Sequence, residues 1–588
     1  MGISVVGNVS RFGFLGIAIL LASSGQIKAA VEGIPVDHKL TVEKCGGCHK
    51  TDENGMMGRV SFMRTTPEVW QQIIKRMMRL NGVVATPAEV RDIVRYLSNN
   101  NGLAPEEMAP AMWEVEHRQP GHEFDMVPDD ALQHTCNYCH NIGRVLVQRR
   151  TRDDYEKLVS FHVGLFPGSE NVFRPRRIRG NSRETPARLD PGPTGGNPIL
   201  VSVGATHVDM SAPYPIDLTL DYLTKAQPLI TPEWTAWKAA MRAPKLAGAW
   251  TVKGYQNGKG KVYGVLTIEA TPVEDEFTSK LELHYGTSDV TLTRTGKGIV
   301  YTGYSWRGRQ TLAGKPAESA DPGNNPVEWK EAMMVSRDGG SMTGRWFWGG
   351  YDEFGFDVTL TRVGSQPIVL GTDLYALKSP GTSTIRIYGA NLPANLKPAD
   401  VDLGAGVTVK RVVKATPTMA TVEVELAKGL PVGLRDVSVG RATAVKALAV
   451  YDKVAYIKVT PDAAMARLGG TIAPKQFMQF EAIAYASGDV PLGPVNTRWS
   501  MEEFYSTPDD DDIKFVGALN DTGLFTPALE GPNPARKKQS NNYPTNNWGD
   551  VWINAVYDAG GGVTLKARSY LVVTIPEYVR YDQPEVSK

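Results

Sequence analysis

The chain has 588 residues, and at roughly 150 residues per domain this length predicts about four domains. Its 64 lysines and arginines balance 63 aspartates and glutamates, so no overall field favours binding to nucleic acid or to an anionic membrane surface. The 59 glycines and 39 prolines, together with 22 tyrosines and 12 tryptophans, favour many short strands joined by turns.

Residues 1–30 have the pattern of a secretory signal peptide. Arg11 precedes an apolar run over residues 12–22, and small residues follow at Ala29 and Ala30. The run is too short to span a bilayer, and no later stretch is long and apolar enough to do so. We therefore expect cleavage near Ala29/Ala30 and an exported mature chain without a membrane span. An uncleaved anchor is the alternative.

All four cysteines fall in two copies of the pattern Cys-x-x-Cys-His. Two thiols three positions apart on one helical turn can reach the two vinyl groups of a haem, and the next histidine then lies beneath the iron as its proximal ligand. A zinc half-site or a redox dithiol shares part of this pattern, but two copies that use every cysteine favour covalent haem c. The residues are Cys45, Cys48 and His49 in the first copy and Cys136, Cys139 and His140 in the second.

The segments that follow the two motifs look like copies of one another. Both have helical periodicity with an acidic first turn, which predicts a helix packed against each haem. Aligning Trp70 with Tyr155 places Met77 on His162. Methionine and histidine are common sixth ligands of haem c. We therefore predict Met77 as the sixth ligand of the first iron and His162 as that of the second.

Three alternatives to these sixth ligands remain open. Met77 is equally compatible with core packing, which leaves Met78 as a candidate, and His162 competes with His207 and Met210. If the predicted pairing holds, the first haem should be the more oxidising, because a thioether favours reduced iron relative to a second imidazole.

The fold class predicted is multidomain α+β, with an N-terminal all-α dihaem cytochrome c domain followed by three antiparallel all-β domains, one barrel and two immunoglobulin-like sandwiches. Closing helices of the two haem units are expected near residues 90–97 and 216–223, with an insertion at about 166–213 in the second unit. Its basic run at 174–179 is a docking patch, a partner of haem propionates or a solvated loop. The predicted boundaries are 31–240 for the haem domain, 245–365 for the barrel, and 366–459 and 460–588 for the sandwiches.

The predicted strands follow alternating apolar patterns and turn signals. The acidic run 509–512 is either a calcium site or, more commonly for such runs, an exposed loop. Trp499 has the position of a core tryptophan, and the aromatic residues of the barrel are expected to fill it rather than line a ligand pocket. The strands are 262–270, 280–285, 298–307, 329–336, 344–349 and 356–362 in the barrel, with a hairpin turn at 337–340, and 383–388, 407–413, 477–485 and 551–557 in the sandwiches.

This combination resembles the large α subunit of bacterial quinohaemoprotein amine dehydrogenase. Beyond the two Cys-x-x-Cys-His motifs and the domain order, the resemblance rests on three segments. They are Trp-Lys-Glu-Ala-Met at 329–333, Gly-Arg-Trp-Phe-Trp-Gly at 344–349 and Trp-Gly-Asp-Val-Trp at 548–552.

The resemblance implies a periplasmic heterotrimer that deaminates primary amines oxidatively. It implies a β-propeller β subunit, and a small γ subunit that holds the cofactor cysteine tryptophylquinone. Because every cysteine here is committed to haem, this chain is expected to carry electrons and not the quinone, and to have no catalytic residue of its own. The electrons would leave to a soluble acceptor, either a cupredoxin or a cytochrome c.

Two other functions are compatible with the residues. The first is a stand-alone dihaem electron carrier or sensor whose β domains bind cell-surface material. The second is a haem peroxidase-type enzyme, which would need an open coordination position on one iron.

Overall fold

The computed structural model describes thirteen stretches of the chain. Among these residues, no helix combines the length and apolar character that crossing a bilayer requires. The predicted signal peptide and the residues Cys139, His140, His207 and Met210 lie outside them. The described residues are 32–112, 127–137, 142–174, 188–190, 199–201, 213–286, 288, 290–312, 323, 326–471, 473–505, 510–536 and 546–576.

The N-terminal region is mainly helical. Its helices in the described residues are α1 (Lys39–Cys45), α2 (Pro67–Asn81), α3 (Pro87–Asn100), α4 (Pro105–Met108), α5 (Asp130–Thr135), α6 (Gly143–Leu146), α7 (Arg152–Leu165), α8 (Ser169–Phe173), α9 (Pro215–Ala226) and α10 (Pro232–Ala240). Two short antiparallel ladders lie among them, β1 (Met63–Thr65) with β2 (Gln148–Arg150), and β3 (Arg188–Asp190) with β4 (Ile199–Val201). The region is therefore predominantly helical and not all-α.

The two segments aligned in the sequence form matching helices, which confirms the helix predictions for both. Helix α2 begins after Thr66 and α7 begins after Thr151, and each threonine side chain accepts a hydrogen bond from a backbone N–H of the first turn. Helix α2 ends at Asn81 and is followed by Gly82, whose φ of +70° is a left-handed conformation that glycine adopts without strain.

Each unit also has its predicted closing helix. In the first unit, α3 starts with a capping box between Thr86 and Glu89 and packs against α1 and α2. In the second unit, α9 packs against α5 and α7. Leu97 and Leu223, the last residues of the two predicted closing helices, are both buried in the cores of their units.

The first β unit is a closed antiparallel barrel of eight strands. They are β5 (Gly248–Gln256), β6 (Gly260–Ala270), β7 (Glu276–Tyr285), β8 (Leu292–Tyr301), β9 (Ser305–Leu312), β10 (Glu328–Val335), β11 (Ser341–Trp348) and β12 (Phe354–Arg362), with β12 pairing with β5 to close the ring. The single strand predicted at 298–307 is wrong. The chain turns there through Thr302 and Gly303, both at positive φ, and so forms the end of β8 and the start of β9.

The barrel core is rich in tryptophan, as expected. Trp250, Trp306, Trp329 and Trp346 are each at most 1% exposed. The indole rings of Trp329 and Trp346 stack with their centroids 5.7 Å apart. These aromatic side chains fill the interior of the barrel.

The second β unit is a sandwich of two four-stranded sheets. One sheet has the order β13 (Ile368–Thr372), β15 (Gly381–Ala390), β18 (Met419–Leu426), β17 (Val407–Ala415), and the other β14 (Ala376–Lys378), β20 (Ala442–Tyr451), β19 (Gly433–Val439), β16 (Val401–Asp402). A buried apolar core lies between the sheets. The pairing of β14 with β20 is parallel, so this unit is not purely antiparallel.

The third β unit contains three small sheets around one core. Their strand orders are β21 (Tyr456–Thr460), β24 (Glu481–Ala486), β25 (Val490–Pro494); β22 (Ala463–Arg467), β30 (Val563–Thr574), β29 (Gly549–Gly560), β26 (Arg498–Glu503); and β23 (Met478–Gln479), β28 (Leu524–Pro527), β27 (Gly517–Leu519). Strands β22 and β30 pair in parallel. Trp499 is only half-buried at the edge of this core, so it is not the central tryptophan expected.

Candidate haem sites

The first Cys-x-x-Cys-His motif forms the end of α1 and the turn after it. The backbone N–H groups of Cys48 and His49 both donate to the carbonyl of Cys45, at 3.2 and 2.9 Å, so the helical turn continues through the motif. Cys45 is half-buried and Cys48 is exposed. Burial raises the pKa of the Cys45 thiol. A helical turn with one thiol facing inward and the next facing solvent fits attachment of a haem at the surface of the unit.

The two methionines of α2 point to different surroundings. Met78 packs with Trp70, Ile74 and Val94 in the core of the first unit. Met77 lies outside that core and is half-buried, and its Sδ accepts a hydrogen bond from the Asn81 side chain at 3.5 Å. Of the two methionines, Met77 is therefore the one whose side chain does not pack in the core between α2 and α3.

The second motif begins at the end of α5. Cys136 is half-buried and packs against the core of the second unit. Thr135, the residue before it, shares a hydrogen bond of 2.9 Å with Thr219 of α9, which ties the start of the motif to the closing helix. Cys139 and His140 belong to the part of the chain outside the described residues.

His162 lies on α7 with one ring nitrogen already fixed. Its Nδ1–H donates to the carbonyl of Leu158 at 2.9 Å, which leaves Nε2 with the lone pair that a metal ligand needs. The rings of Phe166 and Phe173 lie 6.4 and 6.0 Å from the imidazole. Burial lowers the pKa of His162. The hydrogen bond to Leu158 raises it, and nearby positive charges lower it further. The neutral imidazole, which is the ligating form, is favoured.

Helices α2 and α7 approach one another beside these two candidate ligands. The guanidinium carbon of Arg76 lies 5.0 Å from the centroid of the Phe161 ring. These residues immediately precede Met77 and His162, and they occupy the same position in the repeat. The sequence alignment shows that Arg76 and Phe161 are equivalent. It does not show that they are in contact, because a repeat carries no information on how its copies are arranged in space.

The acidic run in the third β unit has an internal counter-charge. Carboxylate oxygens of Glu503, Asp510 and Asp512 lie within 4.8 Å of one another, and the Arg536 guanidinium pairs with Asp512. Asp512 also accepts a hydrogen bond from the backbone N–H of Asp550 at 2.7 Å. Arg536 thus supplies at Asp512 a positive charge of the kind that a bound calcium ion would provide. Asp509 lies outside the described residues.

Family models match four consecutive parts of the chain. Residues 36–178 match "Quinohemoprotein amine dehydrogenase A, alpha subunit, haem binding", a range that contains both Cys-x-x-Cys-His motifs, Met77 and His162. Domains II, III and IV of the same alpha subunit match residues 243–363, 369–452 and 457–586.

The chain belongs to the quinohemoprotein amine dehydrogenase alpha-subunit family. The resemblance drawn from the sequence is thereby confirmed. The order of the alpha-subunit domains is also the order of the helical region, the barrel and the two further β units.

Other comparisons add nothing beyond the family. No curated protein matches the chain. Solved structures that match include mouse clustered PcdhgC3 EC1-3 (12% identity, TM-score 0.15, covering 40% of this chain and 76% of that one). They also include mouse cadherin-23 EC22-24 (9%, TM-score 0.15, 56% and 86%) and the I9-I11 tandem of titin (10%, TM-score 0.11, 53% and 100%).

Proposed function

We propose that this chain is the dihaem electron-transfer subunit of a periplasmic quinohaemoprotein amine dehydrogenase. The observation that carries the proposal is the haem-binding alpha-subunit match, which spans both Cys-x-x-Cys-His motifs in one continuous range. The chain would accept electrons from a quinone cofactor on a partner subunit and deliver them to a soluble acceptor.

The residues of this chain would hold two haems c. A haem c supplies a one-electron Fe(III)/Fe(II) couple when attached. Cys45 and Cys48 would form the thioethers at the first site, with His49 and Met77 as axial ligands. Cys136 and Cys139 would do the same at the second site, with His140 and His162 as axial ligands. The helical turn at Cys45 and the fixed tautomer of His162 support these assignments.

The amine chemistry would take place on other subunits. Oxidation of R–CH₂–NH₂ with water to an aldehyde and ammonia releases two electrons and two protons, and this chain would pass the electrons on one at a time. All four of its cysteines lie in the haem motifs, so none remains for a cysteine tryptophylquinone. A small γ subunit would hold that quinone beside a β-propeller β subunit, and a cupredoxin or cytochrome c would be the acceptor.

The test is the haem spectrum of the complex purified with its natural partners. Addition of a primary amine without oxygen should reduce both haems, and pretreatment with a hydrazine that blocks quinone carbonyls should prevent the reduction. Haems that stay oxidised with every primary amine tried, in a complex without a quinone-bearing small subunit, would instead support the stand-alone carrier or sensor. A five-coordinate high-spin iron in the resting complex would favour the peroxidase-type enzyme.

Export is tested separately by the mature N-terminus. We expect residues 1–30 to be absent and the first residue of the periplasmic protein to lie just after Ala29/Ala30. A chain that retains Met1 and sediments with membranes would indicate the uncleaved anchor.

A further inference from the structure

Arg76 is a half-buried cation at the contact between the two haem-motif units, of which the first contains α1–α3 and the second α5–α9. It lies on α2, and its guanidinium rests against the Phe161 ring of α7 at 5.0 Å. In the described part of the chain, no carboxylate lies within ion-pair distance of Arg76. A half-buried charge is screened by solvent much less than an exposed one, so its field extends to neighbouring groups.

The acidic groups near this contact already have arginine partners. The Asp154 carboxylate pairs with Arg150 of its own unit and with Arg59 of the first unit, the latter at 2.6 Å. Arg76 is therefore not neutralised by Asp154, although both lie between the units.

The same holds for the second buried carboxylate of this region. Glu107 pairs with Arg64 at 2.7 Å and with Arg149 at 3.1 Å. Two carboxylates thus face four arginines before Arg76 is counted. Each of these two ion clusters therefore has an excess of positive charge.

Arg76 is close to both candidate sixth ligands. It directly precedes Met77 on α2, and Phe161 directly precedes His162 on α7. One guanidinium from the first unit thus contacts Phe161, the residue that precedes the candidate ligand of the second.

We propose that Arg76 is a fixed positive charge shared by the two haem sites, and that it raises the midpoint potential of the haem held by His162. An iron with two imidazole ligands is the harder to reduce, and ferric haem carries one more positive charge than ferrous haem. A cation nearby therefore favours the reduced state of a haem. Because the Arg76 guanidinium rests on Phe161, which directly precedes His162, we expect the larger effect on the second haem, which narrows the difference between the two haem potentials. Phe161 is the aromatic surface that keeps the guanidinium in place. This inference rests on the proposed sixth ligands.

The experiment is a potentiometric titration of both haems in the purified complex carrying Arg76→Gln. We expect the potential of the second haem to shift negatively, by more than that of the first. Arg76→Lys, which keeps the charge, should restore most of the potential, and Phe161→Leu should give an intermediate shift. Arg79→Gln is the matched control, because Arg79 is exposed on the same helix.

The spectra of the same samples separate the possible failures. Electron paramagnetic resonance and near-infrared spectra report whether methionine and histidine ligate the irons. If they do, and Arg76→Gln shifts the second haem no more than Arg79→Gln does, the role of Arg76 is refuted while the proposed function stands. If the wild-type spectra lack this ligation, the ligand assignment and the inference built on it both fail.

Discussion

Arg64 lies directly opposite Arg149 in the β1–β2 ladder, and both guanidinium groups donate to the same carboxylate, that of Glu107. The two arginines occupy the same position in the sequence repeat. Equivalent residues that face one another across an antiparallel ladder relate the two units by an approximate two-fold rotation. The buried ion cluster around Glu107 is therefore one of the contacts that join the two haem-motif units.

The first prediction concerns this cluster. Glu107→Gln should destabilise the N-terminal region by about 3–5 kcal/mol, because it leaves two buried arginines without their counter-charge. Thermal unfolding followed by haem circular dichroism measures the loss. Glu106→Gln is the matched control, since Glu106 forms an exposed pair with Arg337 and its replacement should cost less than about 1 kcal/mol. Equal effects of the two variants would show that the cluster does not hold the units together.

The pH dependence of the cluster has a defined sign. Burial opposes ionisation of Glu107, but the hydrogen bond and charge of Arg64, with the charge of Arg149, outweigh it and lower the pKa below the ordinary 4.5. Stabilisation by Glu107 is thus complete above pH 4.5 and disappears as the pH falls below that value. Glu107→Gln should remove this loss of stability at acid pH. Unfolding measured from pH 6 downwards, in steps of about one pH unit, would reveal the difference.

The second prediction separates the two methionines of α2. Met77→Ala should abolish the weak near-infrared band of sulfur-ligated ferric haem. Met78→Ala should keep that band and instead lower stability by about 1–2 kcal/mol, less than a fully buried methionine because Met78 is half-buried. A band that survives in Met77→Ala and is lost in Met78→Ala would reverse the assignment.

The third prediction concerns His162. Its replacement by alanine should convert the second haem from six-coordinate low-spin to five-coordinate high-spin, which electron paramagnetic resonance detects. His162→Met should restore a low-spin iron and add a second near-infrared sulfur band, since methionine is an alternative axial ligand. An unchanged low-spin signal in His162→Ala would point to a ligand in the region of His207 and Met210.

The fourth prediction concerns the barrel interior. Glu331 is fully buried and accepts a hydrogen bond from Trp306 Nε1 at 2.7 Å. Burial raises the pKa of Glu331 to about 7. Between pH 4.5 and 7 the folded barrel therefore binds more protons than the unfolded chain, and its stability should fall as the pH rises, by up to about 3 kcal/mol.

Glu331→Gln should reduce that fall, because glutamine keeps an oxygen for Trp306 and has no charge to bury. Part of the fall should remain, because burial also raises the pKa of Glu353 to about 7. Calorimetric unfolding of the barrel at pH 5 and pH 8 measures the difference. Glu328→Gln, on the exposed side of the same strand, is the control and should leave the pH dependence in place. A flat profile in the wild type would contradict the buried, protonatable state of Glu331.

The sequence predicted those features that depend on neighbours along the chain. Thr66 and Thr151 start their helices through hydrogen bonds within one turn, and the alternating strands and turn at 337–340 give the β10–β11 hairpin. The strand predicted at 298–307 failed because its apolar alternation runs across a tight turn. The pairing of Tyr301 with Ser305 shows that the chain reverses there in a tight hairpin at Thr302 and Gly303.

By itself the sequence determined the two Cys-x-x-Cys-His motifs, the repeat that aligns Met77 with His162, and the family, because these are properties of residue type and spacing. The tertiary structure alone decided which residues far apart in the chain meet. Arg64 reaches Thr231 across 167 positions of the chain, and Arg307 of the barrel pairs with Glu68 of α2 across 239. The contact of Arg76 with Phe161 is of the same kind. Spacing along a chain fixes local geometry, whereas the placing of one unit against another depends on which buried charges and apolar surfaces can be matched when both have folded.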